Sequence, residues 1–330
     1  MKKILGSIAL LLLAAILVAC GVDDTDSGTT GESDNESNEN GDSGDKYKVG
    51  ILAPAVTHGW VAAVAYHAEA RAEELSDEID YQIHTSNDAS EMTSQLDDLK
   101  TWGAEVIVAF PQWEGMEVPI QQAMDEGIEI VNFDIVIDVD GVYRVAGDNY
   151  DMGVQGANYI ADKIGTEGEV VVLEVPSAGS VSDLRTAGFM ETIEEIAPDL
   201  TIHTYATQFT REDGLADFAD ILTSLNKIDA VYSLDDETSI GVLQAIGEAG
   251  RDDIQVVTGG GGMQEYFNMM PDNEDIWIQS ALYSPAMVKD AVDVALDLLK
   301  GNDVEAETII PTTVVDRDNY EEFLDDESPY

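Results

Sequence analysis

The sequence predicts an α/β protein built as two doubly wound, parallel-sheet lobes. From Tyr47 onward, short apolar and β-branched runs alternate with helix-length segments, the pattern of βαβ units and parallel sheets. The alternation comes in two successive series, each able to make its own sheet. The chain is 330 residues long, and the part after its N-terminal region is long for one hydrophobic core and ample for two.

The elements follow in order. Val49 to Leu52 reads as a buried strand, and Gly59 to Leu75 as a helix with small residues on one face. Further strands are expected at Tyr81–Thr85, Val106–Phe110 and Ile128–Phe133, separated by helices at Ala89–Trp102 and Gly115–Glu126. Val142–Ala146 closes the first series. The second series runs through Val170–Val175, Ile202–Tyr205, Ala230–Ser233, Ile254–Val257 and Trp277–Leu282, again with helices between, one of them from Glu237 to Gly250.

Ahead of this body, Lys2 and Lys3 precede an apolar run from Ile8 to Ala19. That is the layout of a secretory signal peptide, and the run falls short of the roughly 20 residues a bilayer-spanning helix needs. Leu17-Val18-Ala19-Cys20 resembles the lipobox of bacterial lipoproteins. The resemblance implies that Cys20 becomes the mature N-terminus and carries a thioether-linked diacylglycerol; the alternative is an ordinary signal peptide with a chance cysteine. Cys20 is the single cysteine, so no internal disulfide is available. From Gly21 to about Asp45 the chain is polar and acidic, with too little apolar surface to offset the entropy of ordering. Self-repelling charge extends such a tether, and two acyl chains would hold it firmly to a membrane. The expected division is therefore a signal peptide over 1–19 and a tether with lipidated Cys20 over 20–46.

Lys and Arg total 15 against 67 Asp and Glu, a formal net charge of −52. Nucleic-acid binding needs clustered cations and is excluded. Anionic ligands are disfavoured for the same reason. The acidity itself reads as a solvated surface suited to high salt, which screens self-repulsion.

Ligands of open parallel sheets bind beyond the carboxyl ends of the strands. There the chain places Thr57-His58-Gly59-Trp60, Phe110-Pro-Gln112-Trp113 and Asn132-Phe-Asp134 in the first series. The second offers Pro176-Ser-Ala-Gly-Ser180 leading to Arg185, then Phe209, Asp235-Asp236, Gly259 to Gly262, and Tyr283. Rings that cover CH faces, with carboxylates, amides and one guanidinium for directed bonds, suit a sugar. One of Asp235 and Asp236 is expected to cap the following helix, leaving the other to face the cleft. The four glycines lack the Lys-Ser/Thr of a phosphate loop. His67, His84 and His203 show no metal spacing, and no metal or cofactor is expected. No nucleophile elbow, zinc-protease motif or dinucleotide fingerprint is present, so no enzyme is expected. An Asp134–Asp235 carboxylate pair is the one arrangement that could serve glycoside hydrolysis.

Several motifs in order resemble the type I periplasmic-binding-protein superfamily, in particular the ribose- and galactose-type solute-binding proteins of ABC importers. They are Lys48-Val-Gly-Ile, Thr-His-Gly-Trp60, Gln95-Leu-Asp-Asp-Leu with Gly103-Ala-Glu-Val-Ile-Val, Gly127-Ile-Glu-Ile-Val-Asn-Phe-Asp134, Gly147-Asp-Asn-Tyr-Asp-Met-Gly, Arg185-Thr-Ala-Gly-Phe, Phe209-Thr-Arg-Glu-Asp-Gly and Asp235-Asp-Glu-Thr-Ser-Ile-Gly. The resemblance covers nearly the whole body. It implies a three-strand hinge with crossings near Ile135, Tyr283 and Pro311, hence a first lobe of 47–134 plus 284–311 and a second of 135–283 plus 312–330. It implies sugar stacking by Trp60 and Phe209, and hydrogen bonding by His58, Asp134, Arg185 and Asp235. Ile135, Gly260 and Tyr283 depart from residues common in the family, which argues against ribose itself, while Gln112 and Trp113 are added candidates. The implied function is an extracytoplasmic, lipid-anchored, monomeric protein that delivers a neutral sugar, polyol or cyclitol to an ABC permease. The alternative is a lipoprotein that senses a sugar, nucleoside or signalling molecule for a membrane kinase.

Overall fold

A computed structural model describes residues 46–55, 59–325 and 328–330. The expected signal peptide, Cys20, the tether and His58 lie outside the described residues.

The described residues form one compact unit that contains two sheets. The first series gives β1 (Tyr47–Pro54), α1 (Gly59–Glu74), β2 (Ile79–Ser86), α2 (Ala89–Trp102), β3 (Val106–Ala109), α3 (Glu117–Asp125), β4 (Glu129–Phe133) and β5 (Tyr143–Gly147). The second gives α4 (Asn149–Ile164), β6 (Glu167–Glu174), α5 (Ser180–Ile196), β7 (Asp199–Ala206), α6 (Arg211–Ser224), β8 (Ala230–Ser233), α7 (Asp236–Ala249), β9 (Val256–Gly260), α8 (Gln264–Met269) and β10 (Trp277–Ala281). Helix α9 (Val288–Leu299) and β11 (Glu307–Ile310) then rejoin the first lobe, and β12 (Val314–Asp316) with a short 3-10 helix (Tyr320–Phe323) rejoins the second.

Strand order is β2-β1-β3-β4-β5-β11 in one sheet and β7-β6-β8-β9-β10-β12 in the other. The first sheet is parallel throughout. The second is parallel except for β12, which runs antiparallel to β10. Helices cover both faces, so the central strands have no wet side: β3, β8 and β9 are buried at every residue, which is why they read as continuous apolar runs. Helix starts follow from local chemistry. Asp88, Asp148 and Thr210 each accept a hydrogen bond from the backbone N–H three residues on, satisfying donors that the first turn leaves free.

One boundary differs from expectation. The crossing placed near Ile135 lies instead at Asp148, because β5 pairs with β4 and β11 inside the first sheet. The residues between β4 and β5 loop over the cleft and return, since Val145 and Ala146 are apolar and become fully buried in that sheet. The three crossings run side by side. Asp148 N donates to Ile310 O (2.9 Å) and Leu282 N to Thr313 O (2.8 Å), while Thr312 Oγ1 donates to Leu282 O (2.9 Å).

Candidate functional site

The carboxyl ends of both sheets face a shared cavity of about 650 Å³, within the ordinary size range of small-ligand sites. Trp60, Gln112, Trp113, Asp134, Arg185, Phe209, Asp235, Gly260 and Tyr283 all line it. These nine of the residues expected at the strand ends are therefore brought to one place.

The first-lobe wall is built of rings. Trp60, at the start of α1, stacks against Phe133 (centroids 6.2 Å apart, planes at 11°) and meets Phe110 edge-on at 6.0 Å. Its indole Nε1 donates to the Tyr283 carbonyl at 2.8 Å, which ties the ring to a hinge crossing. Asp134 follows β4 directly. It is the one non-glycine residue with positive φ among the described residues, at 68°. Such a conformation is held by its surroundings and clusters at functional sites. Here Arg144 Nη2 donates to the Asp134 carbonyl (2.9 Å), and Asn132 Nδ2 donates to Ile135 O (2.5 Å).

The second-lobe wall is polar and centred on Arg185, only 5% exposed. Two close-packed helices position it. A Cβ on Gly153 of α4 would lie 2.1 Å from the Arg185 carbonyl, and one on Gly188 of α5 would lie 2.1 Å from the Tyr150 carbonyl, so only glycines permit this approach. The guanidinium spends Nε on Asn149 Oδ1 (2.8 Å) and Nη1 on Leu234 O (2.7 Å). It packs over the Tyr283 ring at 4.8 Å and, farther off, over the Phe209 ring at 5.9 Å. Nη2 makes no hydrogen bond among the described residues. A network also crosses the hinge: Tyr283 Oη donates to Asp134 Oδ1, Asn149 Nδ2 donates to Tyr283 Oη (3.1 Å), and Asn149 takes the bond from Arg185.

Burial dominates the electrostatics. It raises the Asp134 carboxyl above its usual range, against the lowering pull of the Tyr283 hydroxyl and Arg185. It pushes Asp235 up to about 6, opposed by Thr238 and Arg185. Both tasks expected of the Asp235–Asp236 pair fall to Asp235, which caps α7 by accepting from Thr238 N (3.2 Å) and also lines the cavity. Asp236 turns inward instead. Fully buried, it accepts from Gly262 N, Met263 N and Ser280 Oγ, each at 2.9 Å, and burial pushes it up to about 7.

Two further residues escaped the sequence reading. Asn149 lies within the Gly147-to-Gly153 motif, which assigns it no role of its own; its role arises from partners 36 and 134 residues away. Tyr330 lines the cavity from a segment with no strand or helix pattern. His67, His84 and His203 are not among the lining residues, and among the described residues no group of three or more His, Cys, Asp or Glu could hold a metal ion. No described helix is long and apolar enough to cross a membrane.

Comparison with known proteins agrees with this architecture. The family model for the periplasmic binding protein domain matches residues 49–303. The chain is 24% identical over 308 residues to a ribose import binding protein of Bacillus subtilis, covering 92% of this chain and 96% of the relative. It is 26% identical over 239 residues to a xylitol-binding protein of Mycolicibacterium smegmatis, covering 71% and 67% respectively. Among solved structures, a galactofuranose binding protein superposes with a TM-score of 0.77 at 26% identity, over 86% of this chain and all of that one.

Proposed function

From the premise that the chain belongs to the periplasmic binding protein family, in its type I, ribose- and galactose-type branch, we propose that it captures a neutral sugar, polyol or cyclitol between its lobes and delivers it to an ABC permease. In this reading it is an extracytoplasmic monomer held at the membrane through lipidated Cys20. The observation that carries the ligand class is Arg185: a buried guanidinium with Asn149 and Leu234 as fixed partners and one amino group left over at the cavity wall. A ring or hydroxyl oxygen would take that donor. Asp134 and Asp235 would accept from ligand hydroxyls, while Trp60 and Phe209 cover CH faces. Two carboxyls beside one guanidinium, in a chain of net charge −52, favour a neutral ligand over a phosphate or dicarboxylate.

The mechanism is binding without chemistry. The three crossings allow the lobes to open and close, and a ligand favours the closed form because only there does it touch the ring wall and the Arg185 wall together. Closed lobes would then dock on the permease. The test is the melting temperature of the purified chain in high salt against D-ribose, xylitol, D-galactose, myo-inositol, nucleosides and amino acids. A ligand at about 100 times its dissociation constant adds about 2.7 kcal/mol. A shift confined to sugars, polyols or cyclitols is expected; a shift only with nucleosides or amino acids would overturn the ligand class.

A further inference from the structure

Tyr330 is 5% exposed and stands where the two lobes meet. A Cβ on Gly59, at the start of α1, would lie 3.0 Å from the Tyr330 ring, and a Cβ on Gly261, after β9, would lie 2.8 Å from its hydroxyl oxygen. The ring thus occupies space left by a glycine of each lobe. Its main chain is fastened to α8: Gln264 N donates to Tyr330 O (3.2 Å), and Ser328 Oγ donates to the same oxygen (3.1 Å). The Gln264 side chain holds the preceding stretch, donating from Nε2 to Phe323 O (3.2 Å) and accepting from Asp325 N (2.8 Å). A ring buried at the cavity edge, with its backbone fixed by a neighbouring helix, behaves as a wall.

We propose that Tyr330 is a specificity-determining residue: it closes one end of the cleft and restricts the occupant to a single sugar or cyclitol ring. The ligand class rests on the proposed function; the wall does not. An apolar ring face also contributes stacking area that a polar residue there would lack. Tyr330→Phe should retain the restriction, because size and not the hydroxyl imposes it.

The experiment has a ligand-free arm and a selectivity arm, both on the full chain. In the first, acrylamide quenching of tryptophan fluorescence reads access to the indoles, of which Trp60, next to Gly59, and Trp113 line the cavity. In the second, affinities for D-ribose, D-galactose and myo-inositol are compared with those for lactose and maltose. Tyr330→Ala is expected to increase quenching and to raise disaccharide affinity relative to monosaccharide affinity by about tenfold, equivalent to about 1.4 kcal/mol. Gln264→Ala, outside the cavity lining, should shift both readouts in the same direction by a smaller amount, which guards against a Tyr330→Ala chain that fails to fold. Unchanged quenching in both variants overturns the wall, and greater quenching with unchanged selectivity overturns the specificity role. Greater quenching in a protein whose wild type binds none of these sugars upholds the wall while overturning the sugar reading.

Discussion

The two walls of the cleft are made in opposite ways. On the first lobe, Trp60, Phe110 and Phe133 pack ring on ring at the sheet edge, so position comes from non-directional contact and one indole hydrogen bond. On the second, Arg185 is set by a helix crossing that tolerates no Cβ and by hydrogen bonds of fixed geometry. The difference teaches that the ring wall should tolerate conservative change, whereas the guanidinium wall should fail abruptly.

The largest effect should come from the crossing. Gly153→Ala drives a methyl into the Arg185 carbonyl, and forced separation of α4 and α5 should cost about 3 kcal/mol, at the upper end for overpacking. Thermal unfolding reads it, with Gly247→Ala as control: no atom lies within 4 Å of a Cβ there, so that helix should gain up to about 1 kcal/mol. Equal behaviour of the two variants would remove the crossing from the account. Next, Arg185→Ala should weaken ligand binding by 1.5 to 3 kcal/mol, roughly 10- to 150-fold, the range for a hydrogen bond to a charged group. Calorimetric titration measures it, and unchanged affinity would take Arg185 out of the site.

On the ring wall the expected loss is smaller. Trp60→Ala should cost about 1 kcal/mol of binding, near fivefold, for a lost stacking partner, and Trp60→Phe should recover most of it. If Trp60→Ala costs as much as Arg185→Ala, the contrast between the walls fails.

The last effect concerns pH. Asp236 has a carboxyl raised by burial to about 7 in the folded protein, against a value near 4 when unfolded. Its protonated form favours the fold, so the associated stability is complete below about pH 4 and lost as pH rises through about 7. Between pH 5 and 8 the unfolding midpoint should therefore fall, by roughly 2 °C for each kcal/mol in a body this size. Asp236→Asn should flatten that slope; a slope unchanged by the substitution would assign it to Asp235 or to the general surface charge.

Much of the fold was legible because its signals are local. Burial of strands on both sides demands continuous apolar runs, and helices between them demand their own spacing, so elements such as Val106–Ala109, Ala89–Trp102 and Ala230–Ser233 emerge close to their observed limits. Strand ends follow from strands, and with them Trp60, Asp134, Arg185 and Asp235 as cleft residues. The sequence by itself thus determined the alternation, the two series and the neighbourhood of the site. Tertiary structure alone decided the crossing at Asp148, the inward turn of Asp236, the bridging place of Asn149 and the wall made by Tyr330. Those outcomes depend on pairings between distant residues, such as Trp60 with Tyr283 across 223 positions. Periodicity reports which face of an element is buried, and it carries no record of which distant atom will be found there.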